Sequence, residues 1–156
     1  MKGLNMSDEL TEVLETALYK EIAAEAFYSA GQNNTTDPGA RALMKELAEE
    51  ERRHVQVLKS LKERDWKKGQ WHSEKMPNLM ISEYLTGSDK LEGASLQDTL
   101  VTAMKREQQA VEFYSRMMSS MRDEEAKRLC ERLVHDELKH KYRLEVLYDD
   151  LFYQED

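Results

Sequence analysis

Apolar residues in the first third of the chain recur at helical spacing. Leu10, Leu14, Ala17, Glu21, Ala24 and Tyr28 step by 4, 3, 4, 3 and 4 residues, which sets all six on one stripe of an α-helix. The stripe predicts a first helix from about Ser7 to Gly31. A polar turn, Asn33 to Thr36, follows. Asp37 is then a good N-cap, and Pro38 takes the first helical position, where its missing N–H costs nothing. A second stripe, Leu43, Leu47, Glu51, His54, Leu58 and Leu61, carries a second helix to about Arg64. Two helices joined by so short a turn make an antiparallel hairpin.

The pattern then repeats. Moving 86 residues along from each stripe position reaches Leu96, Leu100, Ala103, Glu107, Ala110 and Tyr114, then Leu129, Leu133, Glu137, His140, Leu144 and Leu147, with every residue type preserved and no gap. The cap repeats as Asp123. Over Leu10 to Asp65 there are 17 identities, and the twelve stripe positions supply most of them, so the two copies share an inward face. A helical hairpin alone exposes its apolar stripe. Two hairpins closing on each other bury both, which predicts an all-α fold: an antiparallel four-helix bundle with its third and fourth helices over about Ser95–Ser120 and Asp123–Leu151. Residues 65–94 form the long crossover. They hold Trp66, Trp71, Pro77, three glycines and a short helical candidate, Asn78 to Leu85, and nothing in them reads as a linker between domains.

Composition narrows the partners. With 156 residues the chain suits a single domain, and six Gly and two Pro leave too few turn residues for an all-β fold. A net charge of −8 is the wrong sign for binding nucleic acid or anionic lipid. Met1 to Leu10 lacks the apolar core of a signal peptide and no later run approaches about 18 apolar residues, so a soluble cytoplasmic protein that meets no membrane is expected. Cys130, the single cysteine, excludes an internal disulfide and any multi-cysteine metal site. It reads as a small core residue.

The chemistry lies where the stripes stop being apolar, at Glu21, Glu51, His54, Glu107, Glu137 and His140. Glu21 and Glu51 each lie 15 residues from Thr36, and Glu107 and Glu137 each lie 15 from Arg122, so all four carboxylates fall about 20 Å from their turns, in one layer. The imidazoles join them, because i and i+3 share a helix face. Without cations such a layer would crowd up to four negative charges into a low-dielectric core, and two divalent ions would cancel them. One Glu from each of two helices, with Glu-x-x-His from each of the other two, is the ligand set of a di-iron or di-manganese carboxylate site.

Glu21 and Glu107 are each followed seven residues later by a Tyr preceded by Phe (Phe27, Tyr28; Phe113, Tyr114), and the helix-two and helix-four segments read Glu50-Glu51-Arg52-Arg53-His54 and Asp136-Glu137-Leu138-Lys139-His140. In these residues the sequence resembles the rubrerythrin-type branch of the ferritin-like di-iron superfamily, over both hairpins. The resemblance implies two iron ions per chain, bridged by Glu51 and Glu137, with Glu21 and His54 completing one coordination sphere and Glu107 and His140 the other. It also implies outer carboxylates that accept from the far imidazole N–H, Glu50 for His140 and Asp136 for His54. Tyr28 and Tyr114 would pack beside the layer or donate hydrogen bonds into it. Two departures matter. Rubrerythrins proper carry a four-cysteine rubredoxin module, which one cysteine cannot supply, and their additional glutamate one turn beyond the third-helix ligand is Ala110 here, a change that bears on peroxidase chemistry of the rubrerythrin kind.

The expectation is therefore a di-iron oxidoreductase reacting with hydrogen peroxide or dioxygen and re-reduced by an external donor such as a rubredoxin. Two alternatives stand beside it: a ferroxidase or iron-handling protein, and an inert module holding zinc or manganese. Off the stripe, helix one also offers Val13, Leu18, Ile22 and Phe27, more apolar surface than four helices need, so a homodimer through the first two helices is expected.

Overall fold

The computed structural model describes residues 8–66, 91 and 93–152. Four helices account for almost all of them: α1 (Asp8–Asn34), α2 (Pro38–Trp66), α3 (Leu96–Ser120) and α4 (Glu124–Phe152). The fold is the four-helix bundle that the stripes predict, and no strand occurs among the described residues. The helical candidate at 78–85, with Trp71, His72 and Pro77, lies outside the described residues.

Caps fix where three of the helices begin. The Asp37 carboxylate accepts from the Ala40 N–H at 2.9 Å, the Asp123 carboxylate from the Ala126 N–H at 2.9 Å, and the Ser95 hydroxyl from the Asp98 N–H at 3.0 Å. One boundary differs from expectation, because α1 runs through Gly31 to Asn34. Gly31 is a close-packing position instead of a terminator: a Cβ there would come 3.1 Å from the Met44 sulfur, so its absence lets α2 approach. The bundle ends are tied as well. Glu9 accepts from the Arg122 and Asp123 N–H groups, both at 2.6 Å, and the Asn34 amide donates to the Leu91 carbonyl at 2.5 Å.

Within each hairpin the helices pack along their length, α1 on α2 and α3 on α4. Between hairpins α1 meets α3, where the Lys20 ammonium sits 4.0 Å over the Phe113 ring and the Arg106 guanidinium 4.6 Å over Phe27. α2 meets α4 through Arg143, whose guanidinium binds Glu46 and Glu50. The apolar core comes in two parts. One gathers Leu14, Leu58, Tyr114 and Leu133, and the other Tyr28, Leu47, Leu100 and Leu144. On every helix the polar stripe residues fall between the two. Burying each such leucine contributes roughly 1.5–3 kcal/mol, and that apolar packing holds the charged layer in place.

Of the four off-stripe apolar residues on α1, Val13, Leu18 and Phe27 are buried within the chain. Ile22, with Val57 on α2, is left exposed, so the surplus apolar surface of this hairpin is smaller than the sequence suggests. Met117 and Met118 pack against the core, Met121 is buried, and so is Cys130.

Candidate metal centre

The four glutamates of the layer are 2% exposed or less. α1 supplies Glu21, α2 Glu51 and His54, α3 Glu107, and α4 Glu137 and His140. Because i and i+3 lie on one helix face, each Glu-x-x-His pair turns both side chains inward together. His54 Nδ1 is 3.1 Å from Glu21 Oε1 and 3.2 Å from Glu51 Oε1. His140 Nδ1 is 3.4 Å from Glu107 Oε2, 3.6 Å from Glu137 Oε1 and 3.6 Å from Glu51 Oε1. Glu51 Oε1 thus lies between two imidazoles that stack in near-parallel planes, 13° apart with centroids separated by 5.9 Å. Donor atoms of Glu21, Glu51, His54 and Glu137 converge within 4.8 Å of one another, and so do those of Glu107, Glu137 and His140. Glu137 belongs to both groups.

The outer ring nitrogens face the opposite hairpin. His54 Nε2 is 3.4 Å from Asp136 Oδ2, and His140 Nε2 is 3.9 Å from Glu50 Oε2. Tyr28 and Tyr114 are both fully buried. Ala110, where the resemblance calls for another carboxylate, is buried and packs in the apolar core.

Burial and crowding set the protonation of the layer. Burial pushes the Glu51 carboxyl well above its ordinary range and the charge of Glu21 pushes further, against the pull of His54. Glu137 moves the same way through burial and the charges of Glu107, Glu21 and Glu51. At His54 burial opposes the imidazolium, but the hydrogen bond with Glu21 and the charges of Glu21 and the adjacent Glu51 outweigh it and raise the pKa to about 10. Tyr28 is held as a neutral phenol, first by burial and then by the charges of Glu107, Glu51 and Glu137.

These residues fit a pair of cations. Both Glu51 oxygens, Glu107 Oε2, Glu137 Oε1 and His140 Nδ1 are buried without a hydrogen-bond partner. Buried polar atoms are rarely left so, and five of them in one layer, all oxygen or imidazole nitrogen, make a donor set suited to iron, manganese or zinc.

Three neighbouring cations were not evident from the stripes. Lys20 and Arg106 are buried between α1 and α3, and burial with the charge of Arg106 lowers the Lys20 pKa to about 8. Their signal was in the repeat itself, which sets Lys20 against Arg106 and Phe27 against Phe113. Arg143 has no such counterpart, since its equivalent in the first copy is Val57.

Comparison with curated proteins gives no match. A family model does match, that of rubrerythrin, over residues 12–148, which takes in the matched layer and all but the ends of both hairpins. The duplicated hairpins, the carboxylate–imidazole layer and this match agree: the chain belongs to the rubrerythrin family.

Proposed function

We propose that the protein is a di-iron oxidoreductase that reduces hydrogen peroxide or dioxygen and takes its electrons from a separate donor, such as a rubredoxin. The observation that carries this reading is the buried layer with its five donor atoms that no hydrogen bond satisfies. Glu21 and His54 would hold one ion and Glu107 and His140 the other, with Glu51 and Glu137 shared. Bound there, two ferrous ions would supply the two electrons that reduction of peroxide to water takes. The chain's own part is to fix the ligands, to keep water out with the two apolar clusters, and to hold the Tyr28 proton beside Glu107. A second reading, with iron as substrate, is favoured by one feature: His54 is 23% exposed, whereas the side chains of the other five are 3% exposed or less.

Anaerobic ferrous titration of metal-free protein, followed by limiting peroxide or oxygen, tests these readings. Two irons per chain and oxidation faster with peroxide than with oxygen are expected for the oxidoreductase. Faster reaction with oxygen and continued iron uptake would replace it with a ferroxidase. Binding without oxidation would leave an inert metal-holding module.

A further inference from the structure

The two halves of the layer repeat each other in their inner residues and differ outside them. On the His140 side, Glu50 is held from beyond by Arg143, at 2.5 Å, and the same guanidinium also binds Glu46. Held there, the Glu50 carboxylate faces His140 Nε2 at 3.9 Å, so it acts on the imidazole as a fixed charge and not through a hydrogen bond. On the His54 side the corresponding positions are Asp136, Val57 and Arg132. Val57 is 51% exposed and cannot pair, and a cation stands where the other copy has Glu46. Among the described residues Asp136 faces only His54 and the exposed His135, the latter at 3.9 Å.

Access differs in the same direction. The His140 side chain is 3% exposed and that of His54 23%. Val57 and Leu61, three and seven residues after His54 and so on its side of α2, line an open groove of about 510 Å³ with Arg53, Gln56 and Ser60.

Resting on the dinuclear reading, we propose that the two metal positions are kinetically inequivalent: the ion served by His54 exchanges readily, and the ion served by His140 is locked by the Arg143–Glu50 clamp. Arg143 is a positioning residue in this scheme. It touches no ligand to the metal and acts only through Glu50 on His140.

The test is release of cobalt(II) from the loaded full-length protein into excess chelator, followed by visible absorbance. Two phases of one ion per chain each are expected, with His54→Ala abolishing the fast one. Arg143→Leu should speed the slow phase by about 10- to 100-fold, the usual effect of losing an outer-shell partner, and leave the fast phase alone. The paired change Val57→Arg with Arg132→Glu builds the missing clamp opposite Asp136, and it should slow the fast phase. Release of both ions at one rate, or two phases that neither the Arg143 variant nor the paired variant alters while helix content is retained, overturns the proposal and leaves the dinuclear reading intact. Binding of fewer than two ions per chain overturns both.

Discussion

Removing the metal should make the protein less stable as the pH rises, and restoring it should cancel or reverse that trend. His54 has a pKa of about 10 in the fold against an ordinary 6.5. A base raised in this way lends stability that is complete below about pH 6.5 and is lost as the pH climbs through the folded value. At about 1.4 kcal/mol per unit, the span from pH 6.5 to 9 would remove roughly 3 kcal/mol. The ring is partly exposed, so screening cuts this to about 1–2 kcal/mol. Glu51 and Glu137, raised above all by burial, act with the same sign. Each carboxyl holds in the fold a proton that the unfolded chain releases above about pH 4.5, so stability falls from there toward the folded pKa. Bound zinc needs these groups deprotonated, so its contribution grows as protons become scarce. The assay is thermal unfolding of metal-free and zinc-loaded protein between about pH 6.5 and 9. At roughly 2–4 °C per kcal/mol for a chain of this size, the metal-free midpoint should fall by about 2–8 °C, while the zinc form holds or rises. A metal-free midpoint that stays level or climbs would refute the reasoning, because the glutamates would then be ionised and hydrated and the layer would not need cations.

Three further outcomes follow from single contacts. Glu137→Gln replaces a carboxyl that burial obliges to keep its proton with an amide that is neutral at every pH, so metal-free protein should gain about 1 kcal/mol or more in urea unfolding at neutral pH while stoichiometry in a metal titration drops below two. Asp37→Ala and Asp123→Ala should each cost about 1 kcal/mol by the same measurement, and additively, since the caps serve different hairpins. Cys130, buried and with its thiol pushed up to about 11 from 9.0, should react with a disulfide reagent at least about 100-fold more slowly in the native protein than in urea, which a colorimetric thiol assay reads directly.

The inward face of this protein is legible in its sequence because a helix of fixed pitch converts spacing into direction. Leu14, Leu47, Leu100 and Leu144 sit where the 3-and-4 rhythm puts them, and the six polar stripe residues fall into one layer for the same reason. What escaped that reading depends on distances between helices. Val13, Leu18 and Phe27 lie off the stripe yet are buried, since a helix with neighbours on two sides buries more than one narrow stripe. Lys20 lies off the stripe and is 5% exposed, because Phe113 from the other hairpin covers its ammonium. Gly31 looked like a helix stop and is where Met44 comes closest. None of these partners is near in sequence, so no local pattern could name them.

Duplication gives the comparison between the copies a physical meaning. Positions the two hairpins share meet at the pseudo-symmetric centre, where a residue and its counterpart occupy one environment and must satisfy it together. Glu51 and Glu137 both sink into the same charged layer, and a change in one alters the field at the other. Away from the centre that constraint lapses. Arg143 faces Glu50 from one side of the α2–α4 contact while Val57, its counterpart, faces the groove on the other, and nothing in the inner layer obliges them to agree. A pair of ions held by matched ligands can therefore be given unequal lifetimes without any change to the ligands, and that inequality is to be sought in the residues the repeat fails to match.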